Sequence, residues 1–117
     1  MTLTISEIKF GKSIRSLIEV PWKIYGKDPN WVPPLKMTIK DIFNPKHPFY
    51  ETSKIKSWVA KKDGQPVGRI VAIINHKHNE FHKEPCGFFG FFDCPDDQEI
   101  SSSLLNKVEE YLKSEGI

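Results

Sequence analysis

Residues 55–75 read Ile-Lys-Ser-Trp-Val-Ala-Lys-Lys-Asp-Gly-Gln-Pro-Val-Gly-Arg-Ile-Val-Ala-Ile-Ile-Asn. Two β-rich runs, 55–61 and 66–75, flank the dipeptide Asp63-Gly64. Asp-Gly between such runs is a strong hairpin signal, because a type I′ turn needs positive φ at both central residues. The second run carries Val67, Ile70, Val71, Ala72, Ile73 and Ile74, apolar on both faces. It is therefore expected at the centre of its sheet, with a layer on each side.

Upstream, residues 2–10 alternate, with Leu3 and Ile5 opposed to Thr4 and Ser6, which predicts an edge strand. Gly11 breaks it. Ser13 is placed to cap a helix reaching Tyr25, with Ile14, Leu17, Ile18 and Trp22 at helical spacing. Pro21 predicts a kink or an early end near Val20. Six of the nine prolines fall between Pro21 and Pro48. Gly26-Lys27-Asp28-Pro29-Asn30 has turn chemistry, Trp31-Val32-Pro33-Pro34-Leu35 reads as extended, and a short helix over 36–43 is ended by Asn44-Pro45. The Trp, Phe and Ile content of this stretch marks it as packed chain of the same domain, not a linker.

Downstream, residues 76–83 are polar and read as a loop or one helical turn. Residues 86–94, Cys-Gly-Phe-Phe-Gly-Phe-Phe-Asp-Cys, form the next strand. The last element is a helix. Asp96 reads as its N-cap, with Glu99 completing a capping box. Ile100, Leu104, Leu105, Val108 and Leu112 form its apolar stripe, and Gly116 its C-cap. The order is β-α-α-β-β-β-α, an α/β (α+β) domain with a mostly antiparallel sheet and no internal repeat.

The chain has 117 residues, one domain's worth. Seventeen basic and 15 acidic residues leave a net charge of +2, which makes no case for nucleic acid from bulk charge. Hydrophobic content of 38% excludes a disordered chain, and two cysteines exclude a disulfide framework. No apolar run approaches the roughly 20 residues of a membrane span. The start lacks the basic-then-apolar pattern of a secretory signal. A cytoplasmic protein is the expectation. The charge is uneven, however: residues 1–83 carry 15 basic and 7 acidic side chains, residues 84–117 carry 2 and 8.

Few residues invite chemistry. His78 and His82 are four apart and share a helix face, but Asn79 stands where a zinc-protease motif needs its Glu. No metal site is expected. Cys86 and Cys94 bound one strand of about 3.3 Å per residue, too far apart to bridge. A helix N-terminus beside Cys94 lowers a thiol pKa, whereas Asp93, Asp96 and Asp97 raise it. The aromatic run 87–92 suits base stacking, yet Cys86 stands where a basic residue belongs, so a core strand is expected.

Three stretches carry a resemblance: Ile24-Tyr25-Gly26-Lys27-Asp28-Pro29-Asn30-Trp31-Val32-Pro33-Pro34-Leu35, Asn44-Pro45-Lys46-His47-Pro48-Phe49, and Asp63-Gly64-Gln65-Pro66-Val67-Gly68-Arg69-Ile70. With the run from Ile74 to Phe92, they resemble the N-terminal half of a GNAT N-acyltransferase, of a bacterial branch of that superfamily. The resemblance implies a single partial domain over 1–117 whose later strands and helix are missing. It implies acetyl-CoA or another acyl-CoA as donor and an amine as acceptor. Phe91, Phe92 and Asp93 would face the pantetheine, and Asp97, Gln98 and Glu99 would head the phosphate-binding helix. Glu84, near the start of the fourth strand, and Asp93 are the catalytic candidates. In place of the family's Gly-rich loop stands Cys94-Pro95-Asp96-Asp97-Gln98-Glu99. Each carboxylate there costs on the order of 1 kcal/mol beside a pyrophosphate. The alternative reading is a GNAT-like binding domain without CoA. An incomplete sheet also implies self-association through the aromatic strand.

Overall fold

The Asp63-Gly64 turn closes as expected, with φ of 51° and 83° at its two residues. It joins β2 (Ser53–Lys62) to β3 (Gln65–Asn75) in antiparallel register. The computed structural model describes residues 3–8, 15–32, 39–40, 42–44, 46–83 and 85–117. Around the hairpin, β1 (Leu3–Ile8) pairs with β2, and β4 (Phe88–Asp93) pairs with β3. The result is an α+β architecture: a four-stranded, wholly antiparallel sheet in the order β1-β2-β3-β4. β3 is internal, as its two apolar faces require.

Strand alternation sends the side chains of β2 and β3 to two separate cores. Val59 and Val71 pack with Leu17, Ile18 and Val20 of α1 (Arg15–Tyr25) on one face. Trp58, Ala60, Ile70 and Ala72 pack with Ile100, Leu104 and Val108 of the C-terminal helix on the other. Gly68 permits that second contact. A Cβ there would lie 3.0 Å from Leu104 Cδ1 and 3.3 Å from the Asp93 carbonyl, closer than ordinary packing, so the side chains of α3 or the strand would have to shift to admit it.

Several expectations are corrected or narrowed. Helix α1 does not end near Val20; it runs through Pro21 to Tyr25. Pro21 has no N–H for the Leu17 carbonyl, and the Arg69 guanidinium supplies the missing donor, Nη1 to Leu17 O at 3.0 Å. Of the two readings of residues 76–83, a loop or one helical turn, the helical one holds, and the helix is longer than one turn. It is α2 (His76–His82), started by the Asn75 side chain accepting from His78 N and closed by Lys83 in the left-handed region. The last helix, α3 (Gln98–Ser114), is capped by Asp97, not Asp96. A tight Pro95 O to Asp97 N hydrogen bond of 2.7 Å leaves Asp96 exposed outside the helix. At the other end Glu115 is the C-cap and Gly116 follows it. Gly116 N to Lys113 O and Ile117 N to Leu112 O make the paired bonds of a Schellman motif. Finally, Leu105 lies outside the buried stripe and is 37% exposed.

Ile39, Lys40 and Ile42 are helical, as expected for part of 36–43. Phe43 is a turn residue, and residues 36–38 and 41, the Ser13 cap, Ile14, Thr2, Lys9, Phe10 and residues 33–35 lie outside the described residues. Trp31 packs against Trp22 and Tyr25, with ring centroids at 5.2 and 5.9 Å. Among the described residues, no helix is long and apolar enough to cross a membrane.

Candidate functional site

The C-terminal half of β4 departs from regular strand geometry. Val71 pairs with Gly90 and Arg69 pairs with Asp93, so two residues of β4, Phe91 and Phe92, lie opposite the single residue Ile70. Phe91 takes φ of 48°, a left-handed conformation that costs a bulky residue on the order of 1–3 kcal/mol. The extra residue resets the alternation. Phe91 joins the α1-side core, Phe92 the α3-side core, and Asp93 returns to the α1 side. Without the bulge, Phe91 and Asp93 would both point at α3.

That return places Asp93 in a partly buried network. Arg69 Nε donates to Asp93 Oδ2 at 2.8 Å, and the Tyr25 hydroxyl donates to Oδ1 at 3.0 Å. The Arg69 side chain is 7% exposed and the Asp93 side chain 20%. The guanidinium also stands over the Phe91 ring, 5.4 Å from its centroid. A single arginine therefore ties α1 (through Leu17 O), β3 and the bulge together. Burial, then the Asp93 carboxylate, push the Tyr25 hydroxyl above its ordinary pKa. Each Asp93 oxygen accepts one of these hydrogen bonds and keeps a lone pair that a substrate's donor could meet.

On the other side of Phe91 the sheet carries a pocket of about 290 Å³. Its floor is Ile55, Val71 and Ile73, its inner wall Phe91 and Phe43, and its outer wall the segment from His47 to Tyr50. Phe43 and Phe91 meet edge to face at 5.2 Å. The lining is almost wholly carbon. The Tyr50 hydroxyl donates to Ile42 O at 2.6 Å, and His47 Nδ1 accepts from Phe49 N, as the cap of the 3-10 turn Pro48–Glu51.

The remaining candidates separate. Glu84 lies outside the described residues. Gln98 and Glu99 are exposed in the first turn of α3, and Asp97 precedes them. The Asp97 carboxylate accepts from Glu99 N at 3.0 Å and Ile100 N at 3.3 Å, and lies 3.6 Å from Lys62 Nζ. Two of the amides that would meet a phosphate at this helix end are thus already capped by the protein's own anion. The His78 and His82 rings lie 4.4 Å apart on one face of α2, tilted to each other, and Phe88 meets His78 edge to face. No group of three or more metal-ligating side chains occurs among the described residues.

Cys86 and Cys94 are both free thiols. Burial, then Asp93, Asp97 and Asp96, raise the Cys94 pKa above its ordinary 9.0. Thiolate therefore forms at Cys94 only at higher pH than in an unfolded chain. Alkylation of Cys94 is expected to be slower in the folded protein than in urea at pH 8. Its rate–pH profile should lie at higher pH in the folded protein than in urea; coincident profiles, or a shift to lower pH, would contradict this environment.

The sequence singled out Phe91, Phe92 and Asp93. It did not single out Arg69 or Tyr25 as Asp93's partners, nor the pocket. The one available signal was an arginine inside an otherwise apolar central strand, which demands a buried anion.

Comparison with known proteins adds the following. No family model matches the chain, and no solved structure matches it. Protein YghO of Escherichia coli (strain K12) is 38% identical over 103 residues, covering 88% of this chain and 26% of that protein. A bacterial ceramide synthase of Caulobacter vibrioides is 29% identical over 120 residues, covering 97% of this chain and 30% of that protein. The chain spans between a quarter and a third of the length of these curated relatives.

Proposed function

We infer that this chain is the N-terminal part of a GNAT-like acyltransferase that moves an acyl group from acyl-CoA to an amine. The observation that carries the reading is the alignment of 97% of the chain with a protein named as a ceramide synthase. A ceramide is an amide of a fatty acid and a long-chain amino alcohol. The break in the β3–β4 ladder at Phe91 supports the same reading. β4 is an edge strand among the described residues, and its bulge leaves backbone groups to meet the amides of a pantetheine arm.

In the reaction the thioester C–S bond breaks and an amide C–N bond forms. The amine gives up a proton and the CoA thiolate takes one. Asp93 and Glu84 are the carboxylates proposed to handle the amine proton; Asp93 would act with Tyr25 as its hydrogen-bonded neighbour. Asp97 to Glu99 would sit beside the donor's phosphates. Because Asp97 already fills two amides there, the phosphates need cationic partners besides this helix end. The same capping favours the second reading, a GNAT-like binding domain that does not hold CoA.

Incubation of the protein with octanoyl-CoA and n-octylamine tests the first reading. The expected result is N-octyloctanamide by mass spectrometry, with one equivalent of free CoA thiol. No amide and no CoA binding would favour the second; CoA release that does not depend on the amine would mean transfer of the acyl group to water and would contradict the amine-acceptor reading. We also propose that the open edge of β4, where Phe88 and Phe89 are 41% and 53% exposed, pairs with a second copy of the chain. Sedimentation should show concentration-dependent dimers that Phe89→Lys removes. A wild-type monomer at high concentration would contradict the pairing.

A further inference from the structure

We propose that the pocket beneath Phe91 is a binding site for the saturated hydrocarbon chain of a substrate. The proposal rests on the acyl-transfer reading only for where that chain comes from. The pocket itself stands on three observations.

First, its chemistry offers a ligand nothing but carbon. Ile55, Val71 and Ile73 form an aliphatic floor, and aromatic rings form the walls. Of its polar lining groups, the Tyr50 hydroxyl donates to Ile42 O and His47 Nδ1 accepts from Phe49 N. A ligand carrying a hydroxyl or a charge into this space would lose its hydration without replacement. Second, its size matches a small fragment of a ligand: about 290 Å³ is close to the lower bound of ligand pockets, about 300 Å³. It crosses the sheet from β4 through β3 to β2, and strands about 4.8 Å apart give it a length of about 10 Å. That shape suits a narrow flexible chain better than a fused ring system. Third, the protein holds a strained residue at its inner end. Phe91 reaches the pocket only through the bulge and its positive φ, and Arg69 backs the ring from behind. The inner end therefore adjoins the one stretch of β4 whose backbone leaves the ladder. A chain seated in the pocket would carry its polar end to that stretch.

Calorimetric titration with acetyl-, butanoyl-, hexanoyl- and octanoyl-CoA, and in parallel with n-butylamine to n-octylamine, tests this. Each methylene moved out of water should raise affinity by about fourfold until the pocket is full. Ile73→Trp fills the floor, and Phe49→Ser opens the outer wall at a residue already 37% exposed, where folding is least at risk. Both variants should bring octanoyl-CoA down toward the affinity of acetyl-CoA and leave acetyl-CoA itself unchanged. Length dependence confined to the amines, and lost in the variants, would assign the pocket to the acceptor's chain. Length-dependent binding of amines and of octanoate, with no CoA thioester bound, would keep the pocket and remove the CoA reading. Equal affinity across both series, or length dependence that the two variants leave intact, would overturn the proposal.

Discussion

Replacing Arg69 by alanine should remove about 3–5 kcal/mol of folding stability, the usual cost of breaking a buried ion pair by deleting one partner. The loss has three sources. Asp93 keeps its carboxylate in a site only 20% exposed, with its cation gone. The Leu17 carbonyl, already without a helical donor because of Pro21, loses its substitute. The Phe91 ring loses the guanidinium over its face. Since a domain of this size has roughly 5–15 kcal/mol in all, the variant should sit near the edge of folding. Urea denaturation at neutral pH measures the change. Adding Pro21→Ala to the variant returns an N–H to Leu17 and should recover about 1 kcal/mol, the net value of one hydrogen bond. The same change in the wild type finds that carbonyl already paired, so the two substitutions should be non-additive. Strict additivity would mean that Arg69 does not repair the proline gap.

Leu104→Ala should cost about 2–5 kcal/mol, whereas Leu105→Ala should stay within about 0.5 kcal/mol. The two residues are neighbours of one type in one helix, and they differ only in what they face. Leu104 is fully buried between Trp58, Ile70 and Gly68 of the sheet, and its Cδ1 already lies within 3.0 Å of the position a Cβ on Gly68 would take. Leu105 is 37% exposed. Thermal or urea unfolding of the two variants reads the rotation of α3 on the sheet directly. Equal losses would mean that α3 buries a different face.

The hairpin and α3 were legible because local chemistry and periodicity decide them. Asp63-Gly64 carries its own turn geometry, and the spacing from Ile100 to Val108 finds one face of a helix. The cap of α3 is ambiguous by one residue in the sequence, because Asp96 and Asp97 have the same side chain. Only the Pro95–Asp97 turn, a backbone feature, separates them. A kink or an early end near Val20 is what Pro21 predicts locally, because the repair comes from Arg69, 52 positions from the Leu17 carbonyl it bonds. Asp93 could be named as chemistry-bearing, but its partners Arg69 and Tyr25 lie 24 and 68 positions off. Nothing in Gly-Phe-Phe-Gly-Phe-Phe marks where a bulge falls. Without the bulge neither the turn of Phe91 nor the pocket can be inferred, since both are assembled from strands and a loop remote in sequence.

An NMR titration of octanoyl-CoA into the isotope-labelled protein tests the central claim most directly. The account predicts shifts centred on the amides of Gly90 to Cys94 and on the methyl groups of Ile55, Val71 and Ile73. Saturation without shifts at either set, or shifts confined to the exposed face of α3, would contradict it.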